Sequence, residues 1–576
     1  MPDGRVALAG GATVIRAKGT EVPDKARLVY AHPSSSPTGF CYLGRAGLTK
    51  VAPRESPLAL VEWRGLLRIF GRSNRGCMLG QKPATREASD RSTNLQPIVR
   101  ELPADLETPI SAYLKLAGHG PSFLLESVTG GEQVARYSFI GVNPSQAFVL
   151  RGREFEHHTA AGVERISLPE GSDPLDTLRA ELSRYQPVPT DGLPRFAGGL
   201  VGYLGYEAAG HFEPKLNLPQ HASLPDAVFL LADIVVAFDH AFGRLLLIAN
   251  ASLNGDGTRG LAEAEARLDE LEARLTADLP ARPISADLPA ESELRSNLTR
   301  DQFHSSVLQA KEHIAAGEVY QVVLSRRFTR PSSAAPFDIY RSLRRLNPSP
   351  YMFFFDFDDL AGDPPLRLIG ASPEMHVRLE AGQAAMRPIA GTRPRGKSAT
   401  EDEANELELL ADPKERAEHV MLVDLARNDL GRVCSYGSVN VQEQMGVERY
   451  SHVMHIVSQV EGELKADCDA FDLLRATFPA GTVSGAPKIR AMEIIAELEG
   501  EARGPYAGAV GYFSYDGSLD TCITIRTLVM RGQTVSVQAG AGIVADSDPE
   551  REYEETANKA QALIEAVDRA ELEALP

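Results

Sequence analysis

Two pairs of glutamates, Glu415 with Glu418 and Glu552 with Glu555, are each spaced three residues apart, the interval that puts both side chains on one face of a helix. Carboxylates presented this way suit a hard, oxygen-preferring cation such as Mg²⁺, which keeps several waters and bridges to an anionic ligand. Local spacing alone does not separate that reading from two solvated helix faces. Glu415 also has a second role open to it, because Asp412-Pro413-Lys414-Glu415 reads as a helix start with Asp412 as N-cap, Pro413 at N1 and Glu415 at N3.

A different chemistry is suggested by Gly391 to Ser398 (GTRPRGKS), which fits the P-loop pattern G-x-x-x-x-G-K-[ST]. Its context argues otherwise. Arg387 and Pro388 precede it in place of a buried parallel strand, and Pro394 removes an amide from a loop whose work is to offer amides. Asp424, the Walker B candidate in Met421-Leu422-Val423-Asp424, falls within a capped helical pattern. A nucleotide-binding P-loop protein is therefore the distant alternative. No G-x-S-x-G or G-x-C-x-G elbow signals a nucleophile.

The elements that must position these groups follow from periodicity. One glutamate pair lies on the helix begun at Asp412, the other on a helix expected from about Pro549 to Val567. Thr299-Arg300-Asp301-Gln302 is a capping box, with Phe303, Val307, Ala310 and Ile314 on one face behind it and Gly317 as stop. The strand expected at Val319 to Ser325 puts Gln321 on the row of Val319 and Val323, where a polar side chain needs a reason. Residues 98–279 read as a first domain with strands at Ser122 to Leu125, Arg136 to Ile140 and Ala227 to Phe238, closed by a helix at Arg259 to Leu275. Residues 280–297, rich in Pro, Ala, Ser and acidic side chains, read as a linker, and 298–570 as a second domain. An internal echo, Gly198 to Glu207 (GGLVGYLGYE) against Ala507 to Asp516 (AGAVGYFSYD), suggests duplication or a chance likeness of glycine-rich strands.

Residues 1–97 lack a sustained period and are basic, unlike the remainder; they read as a disordered extension, with an Arg-rich transit peptide as the alternative and Met78 as a second candidate start. The 576-residue chain carries a formal charge of -18, with 43% hydrophobic and 24% charged residues, the balance of a soluble globular protein. Such a charge repels phosphate backbones, so nucleic acid is not an expected partner. Five cysteines without a C-x-x-C pair fit a reducing, cytoplasmic setting, and no run of eighteen apolar residues spans a membrane. An anionic substrate would need placed Arg or Lys residues or a bound cation.

Taken together, Pro388 to Gly396 (PIAGTRPRG), Ala417 to Val433 (AEHVMLVDLARNDLGRV), Phe478 to Lys488 (FPAGTVSGAPK), Asn347 to Asp356 (NPSPYMFFFD), Asp520 to Thr527 (DTCITIRT), Gln538 to Val544 (QAGAGIV), Glu554 to Ala560 (EETANKA) and Leu124 to Ser127 (LLES) resemble the chorismate-utilising enzymes. Within them the sequence is most similar to anthranilate synthase component I. The resemblance implies an α+β fold, antiparallel sheets packed together with helices outside, and conversion of chorismate and ammonia to anthranilate and pyruvate, the first step of tryptophan biosynthesis.

By motif match the resemblance implies Mg²⁺ on Glu418 and Glu555, with Glu415 and Glu552 supporting the metal and its waters. It assigns substrate recognition to Gly391, Thr392, Tyr506, Arg526, Lys559 and the Gly540-Ala541-Gly542 loop. Glu374 is the implied general acid at the departing hydroxyl, and His455 serves proton transfer during aromatisation. Gln321 stands where isochorismate synthases carry a water-activating lysine, and Ala390 where aminodeoxychorismate synthases carry a nucleophilic one; those two activities are the nearer alternatives. Ammonia is expected from a separate glutamine amidotransferase subunit. Ser127, Pro350, Tyr351, Met352, Val510 and Tyr512 match the family's site for tryptophan as feedback inhibitor.

Overall fold

Phe353-Phe354-Phe355 shows how this fold is built. Alternate side chains of a strand leave on opposite faces, so Phe353 and Phe355 enter a core between two sheets while Met352 and Phe354 pack beneath helices. The computed structural model describes residues 93–118, 120–128, 136–221, 223–255, 257–280, 293–450 and 453–573, together with five short strand backbones between Ala7 and Val51. Those five strands lie in a unit of their own, Met1–Asp90; all the elements below belong to a second, Arg91–Pro576. The reading of the extension as disordered or as a targeting segment falls largely outside the described residues. At its end, Leu95 is buried and opens a strand, so ordered structure begins slightly before residue 98.

In chain order the first half contributes strands β1 (Leu95–Pro103), β2 (Ser122–Glu126), β3 (Tyr137–Val142), β4 (Gln146–Arg151), β5 (Glu154–Thr159), β6 (Gly162–Ser167), β7 (Gly199–Leu204), β8 (Ala227–Ala232), β9 (Ile234–Asp239) and β10 (Arg244–Ser252). Its principal helices are α1 (Pro109–Leu116), α2 (Pro174–Leu182) and α3 (Gly257–Leu275). The second half contributes β11 (Gln321–Pro331), β12 (Tyr351–Asp356), β13 (Leu366–Ser372), β14 (Met375–Glu380), β15 (Gln383–Met386), β16 (Ile389–Pro394), β17 (Asn440–Arg449), β18 (Val453–Glu463), β19 (Ala509–Ser514), β20 (Leu519–Ile523), β21 (Thr527–Arg531) and β22 (Thr534–Ile543). With them come helices α4 (Arg300–Ala315), α5 (Pro336–Leu346), α6 (Ala399–Ala411), α7 (Pro413–Val433), α8 (Ala470–Thr477), α9 (Lys488–Glu499) and α10 (Pro549–Glu573).

One antiparallel sheet runs β1-β10-β9-β3-β2-β12-β13-β21-β22-β11, and the other runs β6-β5-β4-β8-β7-β19-β20-β14-β15-β18-β16. From the middle outward the two halves of each order match strand for strand, β16 alone having no counterpart, with β2 opposite β12 in the first sheet and β7 opposite β19 in the second. The chain is therefore two copies of one strand arrangement joined at the centre of both sheets. The echo in the sequence marks that join: Gly202 faces Gly511 across the β7-β19 pair. Neither position admits a side chain, because a Cβ on Gly202 would lie 1.9 Å from the Val228 carbonyl and one on Gly511 2.1 Å from that of Asp520.

This arrangement corrects the expected division into domains. Residues 98–279 and 298–570 share both sheets and the apolar layer between them, because β2 pairs with β12 and β7 with β19. The expected linker contributes only the short Arg295–Ser296 strand beside β11 to the described residues. The run Ala227 to Phe238 is also two strands: it breaks at Asp233, which accepts Arg267 of α3 at 2.7 Å, and its halves join different sheets. Helices cover both outer faces, making four layers. Among the described residues no helix is long and apolar enough to cross a membrane.

Beyond the additional helices α4 and α9, the strand arrangement of the two halves differs at one place. In the first, β5 turns directly into β6; in the second, the corresponding β15 and β18 are separated by an insertion of β16, α6, α7 and β17. That insertion carries Gly391, Thr392, Glu415 and Glu418.

Candidate active site

Asp412 caps α7 by accepting the Lys414 amide at 2.9 Å and the Glu415 amide at 3.4 Å. Pro413 at N1 starts the helix without wasting a donor. Glu415 accepts Arg393 at 3.2 Å, and Arg393 also holds Asp412 and Glu408, so Glu415 does help to secure the helix start. Burial raises the Glu415 pKa above the usual carboxylate value; Arg393 opposes this and the Glu418 charge adds to it. One turn on, Glu418 accepts the Gln321 amide at 3.1 Å. This is the reason for a polar side chain on that strand row. Gln321 is only 5% exposed, and Gly542 leaves it room, since a Cβ there would fall 2.4 Å from Gln321 Nε2.

The start of α10 faces this region. Burial raises the Glu552 carboxyl, Ser547 opposes, and the charge of Glu555 raises it further while Lys414 of α7 is near enough to pull it down. Glu555 pairs with Lys559 at 2.7 Å, one turn along, and Lys559 also donates to the Gly540 carbonyl at 2.9 Å. Arg526, at the turn from β20 to β21, is held below the ordinary guanidinium value by burial, with the Glu555 charge opposing. Its φ of 51° is one of the left-handed non-glycine conformations in the chain.

Gly540, Ala541 and Gly542 lie in β22 rather than in a loop, paired with β11. Gly540 faces the Tyr506 hydroxyl, which a Cβ would approach to 2.6 Å, whereas Ala541 points to the opposite face and packs in the core with Phe303 and Ile494. Burial raises the Tyr506 hydroxyl to about 12, so it stays protonated as a donor.

His455 on β18 sits 2.8 Å from the Gly391 carbonyl and 3.1 Å from the Thr392 hydroxyl through Nδ1. A carbonyl can only accept, so Nδ1 carries the proton and Nε2 is left basic. Burial lowers the histidine pKa and keeps the ring neutral. Gly391 adopts a φ of 70°, the left-handed region that glycine enters freely, and lies against Glu415 and Leu409. Ser451 and His452, just before it in the sequence, lie outside the described residues.

Glu374, in the turn from β13 to β14, is 5% exposed. Burial raises its carboxyl to about 8, against the opposing pull of the Thr482 hydroxyl, the Ile389 amide and Lys559. It is therefore a carboxylic acid at neutral pH, able to give a proton. Thr482, which donates to it at 2.7 Å, received no role from the sequence although it lies in FPAGTVSGAPK. Arg393, lying in PIAGTRPRG, and Lys414 are other members of this network without such a role.

The P-loop look-alike offers no phosphate cradle. Its first half is the antiparallel strand β16. The Gly396 amide is already bonded to Asp402 at 2.6 Å and the Lys397 amide to Glu401 at 2.7 Å.

Residues 120–565 match the family model described as chorismate binding enzyme. The chain belongs to that family. It is 48% identical to anthranilate synthase component 1 of Aquifex aeolicus (strain VF5) and 45% identical to that of Acetivibrio thermocellus, in each case over 83% of this chain and 96% of the relative. The crystal structure of anthranilate synthase component I from Streptococcus pneumoniae TIGR4 superposes with a TM-score of 0.66 at 37% identity, covering 80% of this chain and 98% of that one.

In this chorismate-binding enzyme the glutamate quartet is not a finished metal cage: among the described residues no three His, Cys, Asp or Glu side chains already converge for a metal. The donors are all carboxylate oxygens on two helix starts, and Glu415 and Glu552 are each pushed up by a carboxylate neighbour. Such a set fits a cation that keeps waters and takes its remaining ligand from the substrate.

A second cavity lies where the two halves join. All six residues matched to a tryptophan site line it: Ser127, Pro350, Tyr351, Met352, Val510 and Tyr512. Arg195, Arg378 and Asp520 add charge that the motifs did not assign; Asp520 accepts Tyr351 at 3.0 Å and Arg378 at 3.1 Å. Among the described residues, Ser127 Oγ and Arg195 Nε are buried without a hydrogen-bond partner.

Proposed function

We propose that this chain is the chorismate-aminating component of an anthranilate synthase, converting chorismate and ammonia to anthranilate and pyruvate. The observation that carries the reading is the contrast between a neutral amide, Gln321, at Glu418 and a protonated acid, Glu374, elsewhere in the same network. Gln321 cannot act as a base toward water, so the nucleophile must be one that needs no activation, and ammonia meets that condition. Ala390 offers no amine for a covalent adduct.

Glu418 and Glu555, with Glu415 and Glu552 supporting its waters, would hold a Mg²⁺ ion, which would supply positive charge for a carboxylate of the dianionic substrate. Arg526, Lys559, the Tyr506 hydroxyl, the Gly391-Thr392 turn and the small residues Gly540 and Gly542 orient the anion; Ala541 contributes through the backbone alone. Ammonia forms a bond to ring C2, both double bonds of the ring diene shift by one position, and the C4–O bond breaks as Glu374 protonates the departing hydroxyl to water. His455 Nε2 then takes the C2 proton, the freed electron pair forms the last ring double bond as the C3–O bond breaks, and the departing enolpyruvate takes a proton at its methylene carbon to become pyruvate. Neutral imidazole is the form this step requires, and burial keeps it so.

The ammonia is supplied by a separate glutamine amidotransferase subunit, since the chain has no nucleophile elbow of its own. Tryptophan is the inhibitor, and the cavity between the halves suits it: apolar walls for an indole, with Ser127, Arg195 and Asp520 for the amino-acid polar groups. Purified protein given chorismate, Mg²⁺ and ammonium is expected to form fluorescent anthranilate and pyruvate in equal amounts. Isochorismate or aminodeoxychorismate as the product would overturn the reading.

A further inference from the structure

Thr482 occupies a short 3₁₀ turn, Gly481–Val483, that is fixed from several sides. Gly481 packs so closely on Leu425 that a Cβ would come within 2.1 Å of it. The Val483 carbonyl accepts Arg503 at 2.9 Å, the Ser484 carbonyl accepts the Val323 amide of β11 at 3.0 Å, and the Ser484 hydroxyl bonds back to the Ala480 carbonyl at 2.9 Å. From this anchored turn the Thr482 hydroxyl donates to Glu374 Oε1 at 2.7 Å.

We propose that Thr482 is a positioning residue for the acid step, holding the Glu374 carboxyl in one orientation and leaving Oε2 as the oxygen that carries and releases the proton. The inference rests on Glu374 acting as the acid. With Thr482 donating to Oε1, the acidic hydrogen is assigned to the other oxygen. Once that proton has gone to the leaving hydroxyl, the same donor faces an anion, and hydrogen bonds to an ionised acceptor are about twice as strong as neutral ones. The bond therefore strengthens as the step proceeds, which is the condition for it to accelerate that step.

Other groups act on the carboxyl beside this contact. The Ile389 amide donates from β16, Lys559 acts from α10 by charge alone, and the Tyr450 hydroxyl, itself held by Glu448, senses the Glu374 charge. His376, Arg387 and Asp429 line the same small cavity as Glu374 and Thr482. His376 is kept neutral by burial, and Asp429 is paired with Lys488 at 2.8 Å.

The test is the kcat profile against pH, with free ammonia held saturating at each pH, for the parent enzyme, Thr482→Val, Thr482→Ser and Glu374→Gln. Valine keeps the shape and removes the donor; serine restores it. Thr482→Val is expected to lose at least about tenfold in kcat with little change in the KM for chorismate. Its alkaline limb should move upward, because the anion of Glu374 has lost a stabilising donor. Thr482→Ser is expected to recover both properties. A Thr482→Val profile that superimposes on the parent's, or a Thr482→Ser enzyme as impaired as the valine variant, overturns the proposal. Full turnover by Glu374→Gln would overturn the acid reading on which it rests; an inactive Glu374→Gln beside an unaltered Thr482→Val would overturn the threonine's role alone.

Discussion

Gln321 donates its amide to Glu418 across 3.1 Å, joining the first residue of β11 to the second carboxylate of α7. An ammonium at this position would form a charge-assisted pair with Glu418 and occupy its negative charge. Gln321→Lys is expected to raise the Mg²⁺ concentration for half-maximal activity and to cut anthranilate formation at least about tenfold. A Mg²⁺ titration followed by anthranilate fluorescence checks this, with product chromatography to look for isochorismate.

Gly542 protects the same contact. The Cβ of Gly542→Ala would meet the end of the Gln321 side chain at 2.4 Å, and the amide can swing aside more readily than the paired backbone can shift. The expected result is a folded enzyme with a nearly unchanged Tm and a clear loss of kcat. A variant as active as the parent would show that the Gln321–Glu418 bond is dispensable.

Glu374 links activity to stability through pH. Its folded pKa of about 8 lies above its ordinary value of 4.5, so between those values the folded protein binds more protons than the unfolded chain. Stability must then fall as pH rises through that window. Glu374→Gln removes this dependence. It is expected to melt higher than the parent at alkaline pH, with the difference vanishing in acid, while losing about a hundredfold or more in kcat. Melting curves at several pH values, beside the turnover assay, measure both effects.

The cavity between the halves gives a test of regulation. Ser127→Val removes the buried unpartnered hydroxyl and narrows the space. The tryptophan concentration for half-inhibition is expected to rise at least about tenfold, the scale of losing one buried polar contact. The ratio of inhibited to uninhibited rate is the readout, so a change in the uninhibited rate cancels.

Chelation examines the glutamates. EDTA is expected to abolish turnover and Mg²⁺ to restore it. Glu418→Gln and Glu555→Gln should each bind Mn²⁺ more weakly in paramagnetic resonance titrations, independently of any activity. Parent-like Mn²⁺ affinity in both variants would remove them as ligands.

Features governed by near neighbours along the chain are legible in the amino-acid sequence itself. The Asp412 cap, the Thr299-Gln302 capping box and the pairing of Glu415 with Glu418 depend on intervals of two to four residues, over which helix geometry is fixed. The family motifs name most of the side chains that the fold gathers around β11, β22, α7 and α10. They also name the six matched residues of the central cavity, although what each does is implied by resemblance and not by spacing.

Tertiary structure alone decided the rest, because strand pairing joins residues hundreds of positions apart and no local period encodes a partner. It merged the two expected domains into sheets shared by both halves, and placed Gly202 against Gly511 at their join. It sent Ala541 into the core while its neighbours Gly540 and Gly542 face Tyr506 and Gln321. Burial, likewise set by the whole fold, pushes the Glu374 carboxyl up and the His455 ring down. The amino-acid sequence determined which groups were available for chemistry; the insertion between β15 and β18, folded back on a duplicated scaffold, decided which half brings them together.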